Sequence, residues 1–120
     1  MIDLAEFQSI SPYTDAEASE ALGILADYPL VAQFSQKFFP DQPADFLRNV
    51  FKNIKTIDEF QTLVMQKFVR WALENTSTGF TYEGIDNIRT DRKFLAMSNH
   101  RDIILDPAIT QLVLHMNNIP

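Results

Sequence analysis

The 120 residues contain no cysteine, only three glycines and no run of lysine or arginine. Without cysteine, and with so little glycine, a loop-rich disulfide scaffold or a thiolate metal site is excluded. The net charge is −6 and the pI is about 4.7. A general nucleic-acid binder carries a basic face, and the strongest basic cluster here is only Arg89, Arg92 and Lys93. The opening MIDLAEFQSI lacks the basic start and long apolar centre of a signal peptide. No apolar run approaches the roughly 18 residues of a membrane-spanning helix. A soluble, cytoplasmic protein is expected, or one peripheral on the inner face of a membrane.

What is present is a substantial core. Apolar residues make up 46% of the chain, ten of them phenylalanine, which argues against disorder. Residues 1–77 read as an all-α helical bundle. Thr14-Asp-Ala-Glu17 has capping-box spacing, and a short Ala-rich helix should follow to about Ala26. Pro29 suits the first turn of a second helix, whose apolar set is Leu30, Val31, Phe34, Phe38 and Phe39, with Pro40 ending it. Asp41-Gln-Pro43 restarts a third, where Phe46, Leu47, Val50, Phe51 and Ile54 share one stripe. Thr56-Ile-Asp-Glu59 is a second capping box, and Ile57, Phe60, Val64, Phe68 and Trp71 recur at helical steps behind it. Four such helices with short joints imply a bundle. These aromatics are read as core, not as a cofactor box.

From residue 78 to residue 120 the pattern changes. Phe80-Thr-Tyr82 has strand composition and Gly84 breaks it. Asp86-Asn87 and Thr90-Asp91 are turn-like. Lys93 to Ser98 is a short apolar run of the buried-strand kind. Asp106-Pro107 makes a good helix start, with Asp as N-cap and Pro at the first helical position, and Ile109, Leu112, Val113 and Met116 form that helix's stripe. Strand, turn, strand, loop, helix is the beginning of an α/β domain. It is too short to close a core alone. Either the chain is the N-terminal part of a longer protein, or these residues pack on the bundle.

The candidate chemistry sits in Ser98-Asn-His-Arg-Asp-Ile-Ile-Leu-Asp-Pro-Ala-Ile109. A loop at the carboxyl end of a strand is where α/β folds place their sites. Histidine is the usual general base near neutral pH, and a carboxylate on its second ring nitrogen fixes the tautomer and stabilises the imidazolium. His100 with Asp102 or Asp106 supplies such a pair. No serine or cysteine nucleophile stands in a recognisable elbow, so base catalysis on a substrate hydroxyl is the natural chemistry. On spacing alone, however, a polar connection between strand and helix is the stronger reading.

The block Asn99-His100, then an Asp entering a helix, resembles the first conserved block of the glycerolipid acyltransferases, which acylate glycerol-3-phosphate or lysophosphatidate. Tyr82-Glu-Gly84 looks like the strand leading into that block. Asp106-Pro107-Ala108 is similar to the plastid-type glycerol-3-phosphate acyltransferases, which also carry a helical bundle in front of the α/β domain. The resemblance implies an O-acyltransferase of phospholipid biosynthesis, with His100 as base and Asp106 as its orienting carboxylate. Arg101 and Asp102 would meet the substrate. No bound cofactor is implied, and acyl-CoA or an acyl carrier protein thioester would be co-substrate. The acceptor would be a glycerol phosphate or a lysolipid, with peripheral membrane contact and no nucleic acid.

Two departures qualify that resemblance. The family block has four residues between His and Asp, whereas five separate His100 from Asp106. A one-residue bulge would restore the geometry, so Asp106 is preferred as partner and Asp102 stays the rival. The family's later blocks, which hold the glycerol phosphate, are missing. Phe39-Pro-Asp-Gln-Pro43 resembles one of them only faintly and reads as a helix junction. The chain should therefore carry the base but not a whole site, and be inactive alone. No metal is expected, because His100 and His115 lack ligand spacing, and His115 reads as a helix-end residue. The competing expectation is a helical interaction module without catalysis.

Overall fold

The computed structural model describes residues 4–99 and 101–119. A 3-10 turn, Leu4–Ile10, precedes α1 (Asp15–Leu25), α2 (Pro29–Phe38), α3 (Phe46–Asn53) and α4 (Ile57–Phe60). A π-helical turn, Gln61–Met65, leads into α5 (Gln66–Thr76); a 3-10 turn, Ile85–Asn87, and α6 (Leu105–Met116) complete the order. The chain forms two compact units, Met1–Leu63 and Val64–Pro120. None of the helices among the described residues is long and apolar enough to cross a membrane.

In the first unit α1 and α2 both pack on α3, and α1 also meets α4. Local sequence starts the helices. The Thr14 amide donates to Glu17 Oε2 at 2.8 Å and the Glu17 amide returns to Thr14 Oγ1 at 3.3 Å, a complete capping box. Thr56 and Glu59 repeat the device at α4. Pro29 occupies the first turn of α2, where its missing N–H costs nothing. The third helix begins at Phe46, later than Pro43, because the residues between form a turn closed by Phe46 N to Pro43 O at 2.9 Å. Its expected stripe does face inward: Leu47 and Ile54 are buried and Phe46, Val50 and Phe51 half-buried.

Long-range side-chain bonds complete this unit. Ser35 on α2 is 1% exposed, and its hydroxyl accepts the Leu47 amide at 3.3 Å. That amide belongs to the first turn of α3 and has no partner inside its own helix. Asp45, just before α3, makes no capping bond with its side chain, so α2 supplies the cap. Ser19 on α1 donates to the Ile54 carbonyl at 2.7 Å, and Asp15 accepts the Ile57 amide at 2.9 Å. The α3–α4 joint is thereby tied to α1 at both ends. The aromatic stripe of α2 departs from expectation. Leu30 and Phe34 are 60% and 50% exposed, and the inward positions are Val31, Ser35 and Phe38, the set that shares a face with the capping serine.

The helical run from Ile57 to Thr76 is expected to be regular, yet its second turn is π-helical. The Thr62 hydroxyl donates to the Asp58 carbonyl at 2.9 Å and to the Glu59 carbonyl at 3.2 Å. It thus competes for the acceptor that its own amide would use in an α-helix, a known cause of local distortion. The unit boundary falls inside this turn.

In the second unit α5 packs on α6, with Val64, Val69, Ala72, Leu112 and Ile119 buried. Helix α6 ends in a Schellman motif. Asn118 takes the left-handed conformation (φ 55°); its amide bonds His115 O at 3.0 Å and that of Ile119 bonds Leu114 O at 2.9 Å. Ile119 is buried as the motif's apolar plug. Asn117 Nδ2 also reaches the Tyr82 hydroxyl at 3.0 Å, and the Phe80 and Tyr82 rings stand 6.0 Å apart. Gly84, at φ 83°, turns the chain where an L side chain would be strained.

The expected strands are absent: no strand occurs among the described residues. Phe80–Tyr82 and Lys93–Ser98 have strand composition, but a strand exists only when a neighbour completes its hydrogen-bond ladder. The α/β part of the expectation is corrected to that extent, and the helical part holds. Of the α6 stripe, Leu112 is buried, Ile109 and Val113 half-buried, and Met116 exposed.

Two stability tests follow. Ser35→Ala strips the Leu47 amide of its partner inside a dry site, so chemical unfolding should show a loss of about 1–3 kcal/mol. Lys52 and Arg48 hold the Asp27 carboxyl below its ordinary range through contacts at 3.0 and 2.7 Å. A lowered carboxylate pKa stabilises at neutral pH, and that contribution is lost as pH falls through the folded-state value. Asp27→Asn should flatten the decline in urea stability between about pH 5 and pH 2. The effect should be small and screened by salt, since all three groups are half exposed.

Candidate functional site

The loop that carries the histidine block connects the exposed run 93–99 to α6. Of the four expected site residues, His100 lies outside the described residues. The other three, Arg101, Asp102 and Asp106, belong to one hydrogen-bonded loop. Asp106 Oδ2 accepts two backbone amides, from Arg101 at 2.7 Å and from Asp102 at 2.9 Å. Asp102 Oδ1 in turn accepts the amides of Ile104 at 2.9 Å and Leu105 at 2.7 Å. Each carboxylate thus closes one half of the loop, and the two acids are linked through the Asp102 amide.

This arrangement corrects the expected helix start. Asp106 is not the N-cap, and Pro107 is not the first helical residue. The helix begins at Leu105, so Asp106 and Pro107 fall at its second and third positions. Asp102 does the capping from outside, taking the amides of Ile104 and Leu105. Pro107 has no N–H to satisfy, and the first intrahelical bond is Ala108 N to Ile104 O at 3.3 Å. Asp106 also lies in the first turn, where a negative charge is favoured by the helix dipole. Released from capping its own helix, its carboxylate turns back over the loop.

A loop of five residues is drawn in by four hydrogen bonds from two acids. The apolar residues of the loop turn outward: Ile103 is 78% exposed and Ile104 60%. Arg101 is exposed, its amide held by Asp106 while its guanidinium makes no ion pair among the described residues. His115 is exposed in the last turn of α6, where a cation complements the helix dipole.

Thr90, Asp91, Arg92, Lys93 and Phe94 line an open cavity of about 560 Å³. The basic cluster beside it is partly neutralised. Arg89 grips Asp91 with both ends of its guanidinium fork, at 3.1 and 2.6 Å, and holds that carboxyl below its ordinary range. The capping role of Asp102 was also missed, although its signal is in the sequence: an Asp three residues before the helix start is an Asx-type cap. No protein-family model, curated protein or solved structure matches this chain.

The two acids should separate by experiment. In Asp102→Ala the amides of Ile104 and Leu105 should lose exchange protection and α6 about 1 kcal/mol, whereas Asp102→Asn, an equally good cap, should stay near the wild type. In Asp106→Ala the protection should instead be lost at Arg101 and Asp102. Residue-resolved hydrogen exchange reads both patterns, and a reversed pattern would contradict the assignment.

Proposed function

We propose that this chain supplies the general base of an O-acyltransferase that moves a fatty acyl group from a thioester to a glycerol-phosphate or lysolipid hydroxyl. The observation that carries this is the Asp106 carboxylate folded back on the amides of Arg101 and Asp102. These are the two residues that directly follow His100. A base histidine requires an orienting carboxylate, and we assign that role to Asp106, whose carboxylate is held against the amides of Arg101 and Asp102. Asp102 spends its Oδ1 on the start of α6.

In the reaction His100 takes the proton of the acceptor hydroxyl. The alkoxide oxygen forms a bond to the thioester carbonyl carbon, giving a tetrahedral adduct. Collapse of the adduct breaks the carbon–sulfur bond, and the departing thiolate takes the proton from the imidazolium. Ester and free thiol are the products, with no acyl-enzyme. Arg101, exposed beside the base, attracts the anionic part of a substrate. The work is done in the cytoplasm at the inner membrane face.

A second reading rests on a different observation. Leu30 and Phe34 stand exposed on α2, the expected mark of a helical module that binds another protein. One experiment distinguishes them. Acyl transfer from acyl-CoA to glycerol-3-phosphate is measured with the full product of the gene and its His100→Ala variant. The variant should lose at least about 100-fold in rate with an unchanged circular dichroism spectrum. Equal rates, or no transfer by either protein with any thioester donor, would favour the module.

A further inference from the structure

Three of the ten basic residues, Arg89, Arg92 and Lys93, fall within five positions of a chain whose net charge is −6. They are not equally engaged. Arg89 holds Asp91 with both arms of its fork, at 3.1 and 2.6 Å, which neutralises that carboxylate. Arg92 comes only to 4.0 Å from it, beyond hydrogen-bonding range. Lys93 makes no ion pair among the described residues. Arg92 and Lys93 line one open cavity of about 560 Å³, together with Thr90, Asp91 and Phe94. Asp91 is the one acid in that lining, and Arg89 already answers it. The cavity is therefore left facing two positive charges.

Charge and size together select the ligand. Two open cations favour a dianion with several acceptor oxygens, and a guanidinium fork suits the oxygens of phosphate. A single carboxylate would answer only one of the two. The Thr90 hydroxyl adds a further donor. The volume lies in the range of small-molecule sites and is more than inorganic phosphate fills. Phe94, 42% exposed, gives the cavity an apolar wall against which a flat ring can stack. We propose that residues 89–94 form a binding site for a phosphate ester. Arg92, Lys93 and the Thr90 hydroxyl hold its phosphate, and Phe94 takes its organic part. Asp91 opposes the ligand, and the grip of Arg89 blunts that opposition. The inference stands apart from the acyl-transfer reading, since this site precedes the histidine block and needs no base.

Isothermal titration calorimetry of the 120-residue chain at low salt tests it, with adenosine monophosphate, adenosine and inorganic phosphate as probes. The monophosphate should bind, inorganic phosphate at least about fivefold more weakly, and adenosine not measurably. Added salt should weaken binding. Arg92→Glu and Lys93→Glu should each weaken the monophosphate at least about tenfold. Asp91→Asn should tighten it at least about threefold. Phe94→Ala should weaken the monophosphate about fivefold and leave inorganic phosphate unchanged. Circular dichroism checks that each exposed-site variant keeps the fold. Vesicles of phosphatidylcholine and phosphatidic acid in equal parts form the second arm. Binding to them that Arg92→Glu and Lys93→Glu abolish, with none to the monophosphate, would support the site and identify a lipid headgroup as the source of the phosphate. Binding to neither probe would overturn the proposal, as would binding that both charge reversals leave unchanged.

Discussion

The first amides of a helix have no partner within it, and this requirement organises the described structure more than any apolar contact does. Each joint that matters is made by a side-chain oxygen that answers it. At Thr14 and Thr56 the answer is local, a capping box four residues long. At α3 it comes from another helix, through the buried Ser35 hydroxyl. At α4 the local box is joined by Asp15 from α1, while Ser19 takes the carbonyl of Ile54 on the other side of the same joint. The apolar core of the first unit is modest, with Leu22, Ala26, Leu47 and Ile54 its buried hydrophobic members. Polar bonds of fixed geometry give it registry that so few apolar residues cannot provide alone.

The loop before α6 is the same device turned to another use. Asp102 satisfies the helix start, which leaves Asp106, already inside the helix, to reach backward. Two carboxylates are needed because Pro107 removes one donor and the five-residue loop offers several. A single cap would fix the helix and leave the loop loose. With both, the backbone at Arg101 and Asp102 is tethered to the helix that follows. Residues 101–105 are thus drawn in by hydrogen bonding, without a left-handed residue among them; among the described non-glycine residues only Asn118 has positive φ.

Much of this was legible in the sequence, and the exceptions have physical causes. Local rules worked where partners lie within four residues: both capping boxes, Pro29 at a helix start and the stripe of α3. They failed where the partner is remote. Nothing in the spacing marks Ser35 as the cap of a helix beginning eleven residues later, so α2 was expected to bury Phe34 and instead turns it outward. The π-helical turn escaped because Thr62 is ordinary by composition, and only its hydroxyl's position shows the competition for Asp58. In the loop before α6 one expected role moved: Asp-Pro is so good a helix start that it hid the Asp102 cap four residues earlier. The strands were misjudged for a different reason. Strand composition states a preference, whereas a strand requires a second backbone, and composition cannot say where that backbone is.

This last point separates two properties that an α/β site usually combines. In such a fold the sheet positions the loop, and the loop positions the base. Here the described loop, residues 101–105, is closed by the carboxylates of Asp102 and Asp106, with no strand among the described residues. The helix is in turn anchored by its packing on α5 and by the Schellman turn that buries Ile119. The loop therefore owes its shape to the helix that follows it and not to the run that precedes it. Among the described residues the order of dependence runs from helix to loop, which is why a carboxylate at the second position of α6, and not a residue on a strand, is the part of this chain on which the proposed chemistry rests.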